Sequence, residues 1–144
     1  MGVSAASDAL EAHLSANFTL APVTWGNDGF EKPLSGDGSP LPWVAAAIEA
    51  SAYGQESIGA FPASDNRWDA DGWLYLFIHV ASGSGRATLK TLTDVLMELF
   101  RGTTLLGGNL DFPGKISADN GGPAEHDGAY YMRTISVPWR LAEA

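Results

Sequence analysis

The chain has 144 residues, of which 45% are hydrophobic, so residues 1–144 are expected to form a single domain with its own core. It contains no cysteine, which excludes disulfides and thiolate chemistry. The formal net charge of -9 argues against nucleic-acid binding, which needs clustered Lys and Arg, and equally against binding to anionic membranes. The sequence shows no signal peptide and no stretch long enough to span a bilayer.

A first helix is predicted over residues 4–18. Leu10, Leu14 and Phe18 recur there at helical spacing and form a narrow apolar stripe, as in a helix that lies on the face of a sheet. Asp8 and Glu11 have the spacing of a capping box. This spacing predicts that the regular part of the helix begins near Ser7.

The next segments alternate between short strands and loops. Pro22 ends the helix, and residues 23–25 predict a short strand. Residues 26–42 carry Gly, Ser and Pro at the density of a loop, so they predict a connection with little regular structure. Residues 43–50 predict a strand, and residues 52–71 predict a mobile loop or a hairpin with poorly marked strands.

The centre of the fold is predicted at residues 71–102. Residues 73–80 are aromatic, aliphatic or β-branched, which indicates a strand, and they are apolar at both parities, so both faces of the strand should be covered. A Gly-rich turn follows. Residues 87–100 then place leucines at helical spacing opposite charged side chains, which predicts an amphipathic helix packed back onto the sheet.

The C-terminal part predicts two further strands. Residues 109–116 form a weak strand candidate, residues 119–127 a loop, and residues 129–139 a clear strand that Pro138 limits to a strand end or an edge. The predicted fold class is therefore α+β. It comprises a single mixed or antiparallel sheet of about four to five strands, with the N-terminal helix and a second helix packed on it.

The sequence shows no catalytic, cofactor or metal motif above background. Residues 83–86 (Gly-Ser-Gly-Arg) open a helix, where phosphates often bind, but both the Walker and dinucleotide patterns fail, and a tight turn is the better interpretation. Asp69, Asp71 and Gly72 resemble only part of a calcium loop. The three histidines lack ligand partners at metal spacing, and His79 is most simply a partly buried strand residue; they are His13, His79 and His126.

Trp68 differs from the other tryptophans because it lies in a polar segment, residues 65–69, where no local pattern buries it. An exposed aromatic side chain in a loop can anchor another subunit. Packing of Trp68 back onto its own domain is an equally good interpretation.

The order of these pieces resembles the tail terminator proteins of long-tailed phages, in the tail terminator-like family that also occurs in prophages and gene transfer agents. The resemblance covers nearly the whole chain. After the N-terminal helix, its features are residues 21–27 followed by Phe30, the strand start at residues 42–43, the strand at 72–80, the turn at 83–85 that opens the helix at 87–100, and the closing strand at 131–140.

The resemblance implies a structural role rather than an enzymatic one. Such proteins form a ring, usually a hexamer, on the head-proximal end of the tail tube, where they end tube polymerisation and provide a surface for the head connector or neck proteins. The expected partners are copies of the chain, the major tail tube protein and the connector. DNA passes through the channel without specific binding, no cofactor, metal or membrane is involved, and the location is the virion after assembly in the bacterial cytoplasm.

Ring contacts are expected from sheet edges and the long loops. The expected interface residues come from the segment around Trp68 and from the 26–42 connection: Trp68, Arg67, Asp69, Phe30 and Lys32. Two alternatives stay open: a head-completion or neck protein of the same particle, and a small α+β enzyme with an acidic site at Asp65, Asp69 or Asp71.

Overall fold

The computed structural model describes residues 2–55, 68–124 and 127–142. Within these ranges the predicted α+β class is confirmed. The elements in chain order are α1 (Val3–Asn17), β1 (Val23–Thr24), β2 (Trp43–Gln55), β3 (Trp68–Ala81), α2 (Ala87–Glu98), β4 (Thr104–Leu105), β5 (Leu110–Asp111), β6 (Ser117–Ala118), β7 (Gly122–Pro123) and β8 (Tyr130–Leu141).

The strands form one mixed sheet in the order β1-β2-β3-β8-β5-β4, while β6 and β7 pair with other parts of β8. β1 runs parallel to β2, and the other strand pairs are antiparallel. The prediction of four to five strands is wrong, since the described residues form eight. Five of these strands are two residues long, which is too short for an alternating pattern to appear in the sequence.

β2 and β3 form a long hairpin that the sequence marks only in part. The strand predicted at residues 43–50 continues to Gln55, and the central strand begins at Trp68 instead of Trp73. The register shifts between Ala50 and Ala52, as in a β-bulge. In its described parts, the segment 52–71 is therefore a hairpin, and residues 56–67 lie outside the described residues.

The C-terminal strand is confirmed, and the sheet accommodates its proline. β8 pairs with β3 along its whole length, from Tyr130 to Leu141. On its other side, β8 pairs with β6 at Ser136 and with β5 at Arg140, so Pro138 lies between these two short strands. Proline has no N–H to donate to a neighbouring strand. It is tolerated at this position of β8 because neither β5 nor β6 pairs with it there. The weak strand predicted at 109–116 is reduced to β5.

Both helices pack on the same face of the sheet and form the main core with it. The side chains of this core are fully or almost fully buried, and each leucine of this kind contributes about 1.5–3 kcal/mol relative to an exposed one. They include Leu10 and Leu14 of α1, Leu89, Leu92 and Leu96 of α2, Leu74, Leu76 and Ile78 of β3, and Ile135 and Val137 of β8.

The first helix begins earlier than its capping-box spacing predicts. α1 starts at Val3 behind Gly2, which makes no side-chain cap. Ala6 is completely buried in the core, so packing of this first turn extends the helix past the predicted start near Ser7. His13 Nε2 lies 2.8 Å from the carbonyl oxygen of Leu99, and this hydrogen bond joins α1 to the end of α2.

Candidate interaction surface

The two faces of β3 differ, which corrects the expectation that both are covered. Leu74, Leu76 and Ile78 point to the helices and have no exposed surface. On the opposite face, 36% of Trp73 is exposed, and Tyr75 and Phe77 are half-buried. The reason is the placement of both helices on one side of the sheet, which leaves Trp73 and Tyr75 without a second layer among the described residues.

The aromatic side chains on this open side cover one another along the strand. The ring centroids of Trp73 and Tyr75 are 6.4 Å apart with planes 14° apart, and those of Tyr75 and Phe77 are 6.3 Å apart. On β2, the small residues Ala45 and Ala47 lie opposite Phe77 and Tyr75, and Glu49 lies opposite Trp73. We call this surface the outer face and define it as Ala45, Ala47, Trp73, Tyr75, Phe77, Thr134 and Ser136.

At one end, the outer face meets a cluster of aromatic side chains that the 26–42 connection covers. The rings of Trp43 and His79 stack with centroids 3.8 Å apart and planes 7° apart. Tyr130 packs edge-on against both, and Phe30 lies over Trp43 at 5.2 Å. His79 is therefore a buried strand residue within a stack of rings.

Lys32 closes this cluster from the solvent side. Its Nζ lies 2.6 Å from Asp127 Oδ2, and 5.9 Å and 5.5 Å from the ring centroids of Trp43 and Tyr130. Phe30 and Lys32, both expected at a subunit interface, thus make contacts within their own domain. Whether they also contact another subunit stays a prediction.

A cavity of about 290 Å³ lies where this cluster joins the outer face. Its walls are apolar apart from the His79 ring, and the residues lining it are Trp43, Ala45, Phe77, His79 and Met132. The cavity opens onto the outer face beside Phe77. It offers a place for an apolar side chain of a partner but no set of polar groups that would orient a reacting substrate.

The other expected interface residues lie at the opposite end of β3. Trp68 is half-buried and stacks on Tyr53 across the hairpin, with centroids 5.7 Å apart. Tyr53 is 52% exposed, so this pair also presents aromatic surface. Asp69 follows on the outer-face side, and Arg67 lies outside the described residues.

The expected interface residues therefore do not form one patch. Eleven strand positions separate Trp68 from His79, a span of about 35 Å along β3. The outer face lies between the two groups and is the surface that sequence reasoning missed. The sequence signal for this surface is the run of apolar residues at both parities of 73–80, a pattern that by itself predicts a strand covered on both faces.

The sequence segments that resemble ligand-binding motifs form ordinary turns and strands in the structure. Gly83 and Gly85 have φ angles of 78° and 88°, and the Ser84 N–H donates to the carbonyl oxygen of Ala81 at 3.1 Å, so this segment is a tight turn. No group of three potential metal ligands occurs in the described ranges, and His126 lies outside them. Asp69 and Asp71 lie on the same side of β3 as Trp73, next to the outer face.

No helix within the described part of the chain is long and apolar enough to cross a membrane.

Comparison with known proteins gives a fold relationship only. No family model and no curated protein matches the chain. A solved structure, whose name states no function, matches over 100% of this chain and 98% of its own, with a TM-score of 0.68 and 21% sequence identity. At this identity, the match shows that the whole chain shares a known fold.

Proposed function

We propose that this protein is a structural assembly protein of a long-tailed phage, a prophage or a gene transfer agent. In this proposal, it forms a ring on the head-proximal end of the tail tube, ends tube polymerisation and presents the surface that the head connector or neck proteins bind. The basis is the resemblance of the sequence to the tail terminator-like family, together with the surface of the fold.

The outer face is the observation that supports assembly most directly. A row of aromatic side chains on an open sheet, with Ala45 and Ala47 beside Phe77 and Tyr75, is a contiguous apolar surface of the kind that marks protein interaction sites. Trp and Tyr are also the residues that most often carry binding energy at interfaces. A closed ring needs a heterologous contact repeated around an axis, and the outer face would provide one half of it.

The charge of the chain fits the same role. With a net charge of -9, a ring would repel the DNA that passes through its channel instead of gripping it. The enzyme alternative has weaker support, because Asp69 and Asp71 lie on the same side of β3 as the aromatic row and not within a closed cleft.

Native mass spectrometry of the purified protein is the first test. The expected result is a closed ring, and Tyr75→Ser is expected to weaken assembly while the monomer stays folded, because Tyr75 is only half-buried. Leu20→Ser is the matched control, since Leu20 is 57% exposed in the loop after α1, away from the outer face. A strictly monomeric wild type, with no rings on purified tails, would contradict the proposal.

Electron micrographs of particles that lack the protein provide the second test. Tails of uncontrolled length, unattached to filled heads, are expected for a terminator. Tails of normal length that fail to join heads would instead indicate the neck-protein alternative.

A further inference from the structure

The outer edge of β2 is open over most of its length. β2 pairs with β3 from Trp43 to Gln55, but on its other side β1 pairs with only Val44 and Ala45. Beyond Ala46, no described residue pairs with this side of the strand. The bulge between Ala50 and Ala52 then changes the direction of the strand, so the regular open edge comprises residues 46–50.

The direction of the peptide groups on this edge follows from β1. The N–H of Val44 donates to the carbonyl oxygen of Pro22 at 2.9 Å, so Val44 directs its peptide groups away from β3. Because this direction alternates along a strand, Ile48 and Ala50 present their N–H and C=O groups to the same outer side. Ala47, Glu49 and Ala50 are exposed, so solvent reaches this edge.

Residues 46–50 contain no lysine or proline, and the β-bulge lies only at their end. Natural edges usually carry lysines or prolines, or are covered by other elements. Residues 46–50 read Ala-Ala-Ile-Glu-Ala, with Glu49 as their one charge.

We infer that residues 46–50 of β2 accept a strand from a second copy of this chain, and that this backbone pairing is one part of the ring contact. The inference rests on the proposed function for the identity of the partner. A strand added beside β2 would extend the sheet next to Ala45 and Ala47 of the outer face, so one partner would gain backbone hydrogen bonds and apolar contact together. If the added strand is β4 of the second copy, which lies at the opposite edge of the sheet, the pairing is heterologous and repeats around an axis.

Two substitutions test the edge. Ala50→Pro removes an outward N–H, and Ala50→Lys places a charged side chain where β2 would meet the second copy. Each is expected to weaken association by at least about tenfold, because a strand ladder loses a hydrogen bond or gains an obstructing charge. Ala16→Lys is the matched control, since Ala16 is exposed on α1 and adds the same charge away from the sheet.

Circular dichroism of each variant at low concentration shows whether the monomer keeps its fold, and the lysine variant carries the test if the proline variant unfolds. Hydrogen exchange of the assembled wild type is the second measurement, and the amides of Ile48 and Ala50 are expected to become protected on assembly.

The outcomes separate the two proposals. Rings that leave these amides unprotected, or that form equally well with both Ala50 variants, overturn the inference and leave the proposed function standing. An assembly that protects the edge but stops at a dimer supports the inference and overturns the ring. A wild type that stays monomeric overturns both.

Discussion

Gly72 occupies the position on β3 where the sheet leaves the least space for a side chain. A Cβ there would fall within the van der Waals radius of the backbone carbonyl oxygen of Glu49, 2.9 Å from its carbonyl carbon and 2.7 Å from Trp139 Cζ2. Trp139 is 1% exposed and lies directly opposite Gly72 on β8, so it has no room to move aside. The substitution Gly72→Ala therefore forces a shift of the β2 backbone next to the bulge.

The added methyl group is expected to lower the free energy of unfolding, because it overpacks a site bounded by backbone atoms. Inserting a methylene or methyl group into a packed site usually costs about 1–3 kcal/mol, and we expect Gly72→Ala at the upper end, about 3 kcal/mol, because backbone atoms yield less than side chains. For a chain of this size, such a loss lowers Tm by roughly 10 °C. Urea unfolding followed by tryptophan fluorescence measures the free energy of unfolding.

Gly54→Ala is the matched control on the neighbouring strand. A Cβ at Gly54 would meet nothing within 4 Å, and its φ lies outside the left-handed region. Alanine there reduces the entropy of the unfolded chain, so we expect stability unchanged or raised by about 0.5 kcal/mol. Equal stability of Gly72→Ala and wild type would refute the close approach of Glu49 and with it the geometry of the bulge.

Three further predictions concern the core and the acidic loops. Leu76→Ala removes a fully buried side chain and is expected to cost about 2–5 kcal/mol by urea unfolding, whereas Leu20→Ala at an exposed site should change stability by less than about 0.5 kcal/mol. The Ser35 and Ser39 hydroxyls lower the pKa of Asp37 from 3.8 to about 2, so its stabilising contribution is complete above pH 3.8 and is lost as the pH falls through 2. Asp37→Asn should abolish this part of the acid dependence, measured as stability against pH. The Thr24 hydroxyl donates to Asp28 at 2.8 Å and is the largest cause of its lowered pKa, so Thr24→Val should raise that pKa in a carboxyl NMR titration, and Thr91→Val should not.

The long elements were predictable from the sequence because each contains several periods of its own pattern. The leucines of α2, the alternation of β8 and the apolar run of β3 each locate an element to within a few residues. β4, β6 and β7 were not predictable as strands, and β5 fell only within a weak candidate, since pairing with β8 or with one another defines each of them, and two residues carry no periodicity. The extension of β2 to Gln55 depends likewise on its partner β3 and not on its own composition.

The interface residues were harder to predict because exposure was inferred from local polarity. Phe30 and Lys32 lie in a segment with loop composition, yet Phe30 packs on Trp43 and Lys32 pairs with Asp127, which is distant in sequence. Trp68 lies in a polar segment and stacks on Tyr53. Contacts between residues far apart in sequence, which no local pattern reports, decide all three positions.

The expectation that both faces of β3 are covered is wrong for the isolated chain. The composition of the strand nevertheless needs a physical explanation. An antiparallel strand with one solvated face normally alternates apolar and polar residues, whereas residues 73–77 are apolar or aromatic at every position. α1 and α2 both pack on the side of Leu74 and Leu76, so nothing among the described residues forms a layer over Trp73 and Tyr75. The composition of β3 suits burial of both faces, but the chain covers only the face that the helices pack on. The proposed assembly accounts for this difference, because a neighbouring subunit would cover the second face. The same reasoning joins the outer face to the open edge of β2, since only β2, with Ala45 and Ala47, would separate a strand paired with residues 46–50 from the aromatic row.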